Sequence, residues 1–259
     1  MDFFDPQAEG VIGARDMVRH LVLPRSSGDE VLELPPRAIV TFSSRMLDGL
    51  VRGCSARRCE AWRRRNPKLF LAGAGTERLV LTMSPYGSPA AAMLLEELIA
   101  FGVNRALFLG YCGSIQESLG LGDMVLPSLA LREDGTSYHY LPRGVECRPD
   151  KELFLSLEQY LERRGVSIRA GPVWTTDALY RETRDKIEDY RTRGVLAVEM
   201  EMSALFAVAS LRMIGVVALL LVSDLLSRDA WTPGFSDPRL LDRERLVNRI
   251  VLDWMGGKG

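Results

Sequence analysis

Three carboxylates beside two apolar runs are the groups in this 259-residue chain most able to do chemistry. Glu199 and Glu201 follow the strand-like run 196–198 and open an apolar-periodic helix, and Asp224 lies just past the apolar run 216–222. In open α/β sheets, ligands collect outside the carboxyl ends of the parallel strands. Carboxylates at such an edge can accept hydrogen bonds from a ligand or transfer a proton to it. We therefore expect the three acids to line one ligand site.

Each of these acids also has a purely structural explanation. Glutamates are favoured in the first turn of a helix because they complement the positive end of its dipole. An aspartate after a strand is often a helix cap or a turn residue. Spacing alone leaves both interpretations open.

The elements that must position the acids are predicted from hydrophobic periodicity. Strands are predicted at 38–42, 68–72, 79–83, 105–109, 124–131, 168–174, 196–198 and 216–222, and helices at 45–64, 89–101, 151–164, 183–193, 200–213 and 240–254. This alternation predicts one α/β domain over residues 1–259, with a mostly parallel sheet covered on both faces. Residues 1–36 are interpreted as an N-terminal extension, with turn chemistry at 24–36. Residues 225–239 are interpreted as a lid over the site.

Composition is typical of a globular protein. The formal net charge is −1, with 47% hydrophobic and 26% charged residues, so neither disorder nor bulk attraction to nucleic acid is indicated. The acidic amino terminus does not resemble a signal peptide, and the run 216–222 is too short to cross a bilayer. We expect a cytoplasmic protein that binds neither membrane nor nucleic acid. The four cysteines lack paired CxxC spacing, which predicts reduced thiols and no metal site.

Five further motifs surround the acids. They are YGSPA at 86–90, ALFLGYCGS at 106–114, GDMVLP at 122–127, REDGTSYH at 132–139 and TTDALY at 175–180. Together with VEME at 198–201 and the Ser223-Asp224 pair, they resemble in content and order the signature of the nucleoside phosphorylase superfamily, which contains purine nucleoside phosphorylases, uridine phosphorylases and purine nucleosidases. The resemblance covers residues 37–225. It implies a three-layer α/β/α sandwich around a central mixed sheet that partly closes into a barrel.

The resemblance also implies a chemistry, which is cleavage of the bond between ribose and base. That reaction passes through a sugar with oxocarbenium character, so the site must stabilise positive charge on ribose and negative charge on the departing base. By resemblance, Glu201 holds the ribose hydroxyls, Met200 lies against the sugar and Glu199 supports both. Asp224 is then the general acid that protonates a purine near N7.

A purine is favoured over uracil as the base. Asp224 resembles the acid of the purine-cleaving members, and the Gln and Arg that read uracil have no clear counterpart after Tyr180. The predicted base-binding residues are Cys112, Gly113, Leu179, Tyr180 and Ser223. For Tyr180, packing in the core is an equally good interpretation.

The nucleophile is where the chain departs from the phosphorylases. Those enzymes hold phosphate with an Arg and with a Ser or Thr hydroxyl, but Phe108 and Tyr111 occupy the corresponding positions here. The remaining phosphate-binding candidates are Arg45, Gly87 and Tyr111, and for Arg45 an ordinary charge on a helix surface is a slightly better interpretation. The nucleosidases use a Glu soon after the first strand, where this chain offers only Asp48.

Three functions therefore remain open: phosphorolysis in the family manner, hydrolysis, and nucleoside binding without turnover. Phosphate is the possible co-substrate, and no cofactor is expected.

Other classes fit the sequence less well. Gly110-Tyr-Cys112-Gly113 lacks the GxSxG spacing of a nucleophile elbow, which disfavours a pair of Cys112 with His139. The glycines at 73 and 75 precede another strand-like run and predict a hairpin, not a dinucleotide-binding loop. The basic stretch 52–65 is interpreted as a solvated helix face. The resemblance implies a homo-oligomer, a dimer or trimer of dimers, with His139 a candidate for a rim or cross-subunit position.

Overall fold

The computed structural model describes residues 3–5, 10–21, 32–62, 67–73, 75–227 and 230–257. The strands are β1 (Arg37–Thr41), β2 (Arg57–Arg58), β3 (Leu69–Ala72), β4 (Leu79–Met83), β5 (Arg105–Ser114), β6 (Met124–Glu133), β7 (Arg169–Thr176), β8 (Ala197–Glu199), β9 (Gly215–Leu226) and β10 (Trp231–Pro233). The helices are α1 (Ala14–Leu21), α2 (Ser44–Gly53), α3 (Ser88–Ala100), α4 (Lys151–Arg163), α5 (Arg184–Thr192), α6 (Met202–Arg212) and α7 (Pro238–Met255). Short 3₁₀ turns lie at Gly75–Glu77, Thr136–His139 and Leu179–Arg181.

The strands form one mixed sheet that closes on itself. The strand order is β10-β9-β6-β7-β8-β5-β1-β4-β3-β2, and an additional pairing joins β9 to β5. That pairing is parallel, whereas β9 meets β6 and β8 meets β5 in antiparallel fashion, so β9, β6, β7, β8 and β5 make a closed ring. The expected partly barrel-like mixed sheet is confirmed, and the sheet is less parallel than the periodicity predicts.

Helices cover both faces of the sheet because the strands are apolar on both sides. Alternate residues of β9 illustrate this: Val216 and Ala218 pack in one core cluster with residues of α3 and α6. Val217 and Leu219 pack on the other face with residues of α2, α4 and α7. Strands buried on both faces are expected to be apolar throughout, as the run 216–222 is.

Helix α2 is shorter than predicted. It ends at Gly53, and Ser55 then adopts a left-handed φ of 51°, which turns the chain into β2. Arg57 and Arg58 consequently lie exposed on a strand, so the interpretation of 52–65 as a helix face is wrong there; residues 63–66 fall outside the described ranges. The predicted hairpin between β3 and β4 is confirmed by their antiparallel pairing.

Two segments interpreted as connections contain regular structure. In the N-terminal extension, α1 buries Val18 completely in the core, while residues 24–31 lie outside the described ranges. The predicted lid segment, 225–239, contains the end of β9 and the strand β10, which pairs with it in antiparallel fashion. Residues 228–229 within it are not described. Among the helices in the described ranges, none is long and apolar enough to cross a bilayer.

Candidate active site

Strand pairing brings the predicted acids to one edge of the ring. Gly113, near the end of β5, pairs with Val198 on one side and with Asp224 on the other. The register of β5 against β9 shifts at this point, which marks a bulge. A Cβ atom on Gly113 would lie 3.0 Å from Asp224 Oδ2 and 2.3 Å from Leu226 Cδ1, so a side chain here would displace Leu226 and crowd the Asp224 carboxylate. Glu199, next to Val198, therefore shares this edge with Asp224.

Glu199 is buried and fixes the start of α6. Its Oε2 accepts hydrogen bonds from the backbone N–H groups of Glu201 at 2.6 Å and Met202 at 2.7 Å, and its Oε1 is bonded to the Thr175 hydroxyl. Burial first, and then the charge of Glu201, raise the pKa of Glu199 to about 8. Glu199 is thus a neutral buried acid near pH 7 that braces the Met200–Glu201 peptide.

Glu201 is held by the turn that contains Gly87. The Glu201 Oε1 accepts from the Gly87 N–H at 2.6 Å, and the Ser88 hydroxyl donates to the Met200 carbonyl at 2.8 Å. Gly87 has a φ of 92°, a backbone conformation that favours glycine. The predicted phosphate ligand Gly87 thus donates its N–H to Glu201. Burial, with a smaller contribution from the charge of Asp177, raises the pKa of Glu201 to about 7.

Asp224 lies at a more open position beside the predicted lid. Its Oδ1 accepts from the Ser223 hydroxyl at 2.7 Å, and its Oδ2 accepts from Trp231 Nε1 at 2.8 Å. Trp231 belongs to β10 and is 59% exposed. The lid strand therefore contacts the candidate general acid directly.

Glu182 is a titratable group at this edge that the sequence interpretation missed. It follows the 3₁₀ turn Leu179–Arg181, and burial together with the charge of Asp224 raises its pKa to about 7. Within the described ranges its carboxylate takes no hydrogen bond. An acid two residues after Tyr180 was the available signal, because a carboxylate near a predicted base-binding wall suggests a role with the base.

The predicted base-binding residues differ in exposure. Leu179 is 50% exposed and Tyr180 is 96% exposed, so core packing does not account for Tyr180. Cys112 is buried, and burial first, then the charges of Asp224 and Glu199, raise the pKa of its thiol well above its usual value. His139 stacks on Phe3 with ring centroids 4.9 Å apart. In the described chain, no contact joins Cys112 to His139, in agreement with rejection of a nucleophilic pair.

Two of the predicted phosphate-binding residues, Arg45 and Tyr111, are already bonded to a buried glutamate. Arg45 donates from Nε and Nη2 to the two carboxylate oxygens of Glu244, at 2.6 and 2.5 Å. The Tyr111 hydroxyl donates to Glu244 Oε1 at 2.7 Å and lies 3.2 Å from Ser43 Oγ. Phe108 is fully buried in the core. Sequence interpretation missed Glu244, although a charge on the apolar face of α7, four residues after Leu240 and three before Val247, was a usable signal.

The acids at this end of the ring are already engaged by donors from the protein. Among the described residues, no group of three or more His, Cys, Asp or Glu side chains is arranged to hold a metal ion. The acids at the strand ends are instead occupied by backbone N–H groups, hydroxyls and an indole.

Curated proteins of known name match part of this chain. A guanosine phosphorylase of Halorubrum lacusprofundi is 35% identical over 135 residues, which are 52% of this chain and 56% of that protein. A DeoD-type purine nucleoside phosphorylase of Bacillus cytotoxicus is 32% identical over 141 residues, 53% of this chain and 60% of that protein. The chain thus matches somewhat over half the length of these curated relatives.

Solved structures show the same fold over most of the chain. A purine nucleoside phosphorylase from Toxoplasma gondii superposes with a TM-score of 0.79 at 20% identity, covering 89% of this chain and 97% of that one. A uridine phosphorylase from Vibrio fischeri gives 0.75 at 21% identity, with 86% and 92% covered. The sequence profile of the phosphorylase superfamily matches residues 36–244. The chain belongs to the phosphorylase superfamily.

Proposed function

We propose that the protein is a pentosyltransferase that cleaves the N-glycosidic bond of a purine nucleoside by phosphorolysis, in nucleoside metabolism or salvage. The observation that carries the proposal is the convergence of Glu201, braced by Glu199 and Gly87, with Asp224 at one edge of the closed ring. Relatives named guanosine phosphorylase and purine nucleoside phosphorylase support the same reaction.

Glu201 and Met200 form the ribose half of the proposed site. A carboxylate has about four lone-pair positions, so Glu201 can accept from ribose hydroxyls while it keeps the Gly87 N–H. The Ser88 hydroxyl fixes the Met200 carbonyl, and the partly exposed side chain of Met200 is left to contact the sugar face. Both groups are thereby preorganised for a sugar that develops positive charge.

Asp224 delivers the proton to the leaving base. A phosphate oxygen attacks C1′, the bond from C1′ to the base nitrogen breaks, and its electron pair moves into the base. Asp224 donates a proton to purine N7, so that the products are ribose 1-phosphate and the free purine. Glu182, with its pKa raised to about 7, is the neighbouring group that can hold a proton at neutral pH.

The base lies between the exposed side chains of Leu179 and Tyr180 on one side and the Cys112-Gly113 bulge on the other. Exposed aromatic faces suit stacking on a planar base. We place the protein in the cytoplasm as a homo-oligomer, a dimer or trimer of dimers. In that assembly a second subunit covers the exposed rim that includes Tyr86, which is 72% exposed.

Hydrolysis is the second candidate function, and one observation favours it. The candidate phosphate ligand Arg45 is already paired with Glu244, which lowers the positive charge available to a phosphate dianion. Water then takes the place of phosphate in the same bond-breaking step. A binding protein without turnover is the third possibility.

The test is release of base from a panel of adenosine, inosine, guanosine and uridine, with and without phosphate. We expect phosphate-dependent release from a purine nucleoside and its loss, by at least about a hundredfold, in Asp224→Asn. Asp242→Asn is the matched control, because Asp242 is an exposed aspartate paired on the surface of α7. Equal release without phosphate would establish hydrolysis. Nucleoside binding by calorimetry, with no base released by any variant, would establish the binding protein.

A further inference from the structure

Glu244 is a buried carboxylate surrounded by donors on the nucleophile side of the site. It lies on the core-facing side of α7 between Leu240 and Val247. Arg45 approaches it from the first turn of α2, and Tyr111 approaches it from β5. Three hydrogen bonds of 2.5 to 2.7 Å converge on its two oxygens.

In the proposed phosphorolysis, Arg45 and Tyr111 are candidate donors to an external phosphate. A guanidinium presents two parallel N–H groups to a carboxylate or a phosphate in the same forked geometry, and here Glu244 occupies that fork. Burial is the main reason that the pKa of Tyr111 is raised to about 12, so its hydroxyl is a donor at neutral pH. The Ser43 hydroxyl, at 3.2 Å from the Tyr111 oxygen, completes the donor set.

The two partners of the ion pair differ in exposure. The Arg45 side chain is 51% exposed, whereas that of Glu244 is 4% exposed. Arg45 can therefore turn toward an anion in the site, but doing so leaves Glu244 buried with one partner fewer. Leaving a buried charge without its partner is unfavourable, and this cost opposes capture of an external anion.

We propose that Glu244 competes with phosphate for Arg45 and so sets a weak affinity for phosphate on the nucleophile side of the site. The relevance of this competition to turnover rests on the proposed phosphorolysis. Binding of phosphate itself does not, because it can be measured without catalysis.

The test compares inorganic phosphate binding, by calorimetry, and the KM for phosphate in wild type and Glu244→Gln. Gln keeps the size and one acceptor but removes the charge, so we expect phosphate to bind about tenfold more tightly, with the nucleoside KM unchanged within about twofold. The double variant Arg45→Gln with Glu244→Gln should lose the gain. Phosphate affinity that is unchanged or weaker in Glu244→Gln would overturn the proposal, since Glu244 would then serve only to orient Arg45.

A matched control exists elsewhere in the chain. Arg212 donates in the same forked manner to Glu96 and is 48% exposed, so Glu96→Gln also releases a half-exposed arginine. It should leave the affinity for phosphate unchanged, and an equal gain there would contradict a specific role for Glu244.

The proposal can still be tested if Glu244→Gln does not fold, or if no variant is active. If Glu244→Gln fails to fold by thermal unfolding, Glu244→Asp replaces it. The shorter carboxylate retreats from Arg45, and a gain of about threefold is then expected. If no variant releases base with phosphate, the proposed function fails. The calorimetric comparison still decides whether Glu244 excludes the anion.

Discussion

Replacement of Glu199 tests how the Met200–Glu201 peptide, which we propose binds ribose, is held in place. Because the pKa of Glu199 is raised to about 8, it is a neutral acid at pH 7, with one oxygen accepting from Glu201 N and Met202 N. Gln reproduces this arrangement, since its Oε1 accepts from the same N–H groups and its Nε2 faces the Thr175 hydroxyl. Ala removes every one of these partners. The informative comparison is therefore Gln against Ala, neither of which ionises.

The magnitude follows from the two backbone donors that Ala leaves buried. An unsatisfied buried donor costs about 1–3 kcal/mol, so Glu199→Ala should be less stable than Glu199→Gln by about 2–6 kcal/mol. For a chain of this size that difference corresponds to a melting temperature lower by at least about 4 °C. Ala should also lower nucleoside binding, because the Met200–Glu201 peptide loses its support.

Wild type and Glu199→Gln should differ with pH. Unfolding exposes Glu199, whose pKa then returns from about 8 to its ordinary value of 4.5. Between these two values the folded state keeps a proton that the unfolded state has lost, so wild-type stability falls as pH rises through this window. Wild type and Glu199→Gln should be equally stable near pH 4.5. At higher pH the free energy of unfolding of Glu199→Gln should exceed that of wild type by on the order of 1 kcal/mol per pH unit, up to about pH 8.

Urea unfolding followed by circular dichroism at pH 5, 6.5 and 8 measures all three differences. If Gln and Ala unfold at the same urea concentration, the hydrogen bonds of Glu199 do not hold α6. If wild type and Gln keep a constant difference across the pH series, Glu199 does not retain its proton in the folded state, and the reasoning about its burial is refuted.

Three other perturbations follow from the same edge of the sheet. The pKa of Glu201 is about 7, and in the proposed function its ionised form accepts hydrogen bonds from ribose. The value of kcat/KM should therefore rise with pH through about 7, and Glu201→Gln should abolish this rise. If Glu182 supplies the proton to the base, kcat/KM should fall again above about pH 7, where Glu182 loses its proton, and Glu182→Gln should remove this fall. An unaltered pH profile in Glu182→Gln would exclude that role. Gly113→Ala places a Cβ atom 2.3 Å from Leu226 Cδ1 and 3.0 Å from Asp224 Oδ2. We therefore expect kcat to fall on the order of tenfold, with little change in the far-ultraviolet circular dichroism spectrum. Full activity would show that Asp224 tolerates displacement.

The strand ends of the candidate site were predictable because the periodicity there is strong. The apolar run before Asp224 and the helix after Glu201 each give a clear pattern, so their positions at one edge follow from the sequence. The ring closure was implied only by the family resemblance and not by the periodicity, because β8 has only three residues and pairs in opposite directions with its two neighbours. Local sequence does not encode such pairing.

Side-chain contacts that form only when the chain folds back on itself account for the rest of what was missed. Glu244 meets Tyr111 across 133 positions of sequence, and nothing near either residue signals the other. Trp231 likewise reaches Asp224 only because β10 folds back on β9. In both cases the sequence gives the residue type, whereas tertiary folding supplies its partner.

The closed ring of strands has a mechanical consequence. Each of its five strands is hydrogen-bonded on both sides, so none can slide without breaking a ladder, and the spacing between Glu199 and Asp224 is set by the frame itself. The elements after β9 are not part of that frame, yet Trp231 contacts the acid and Glu244 contacts the arginine. The carboxyl-terminal segment therefore supplies one side chain to Asp224 and another to Arg45, so a substitution that displaces this segment is expected to disturb both residues together.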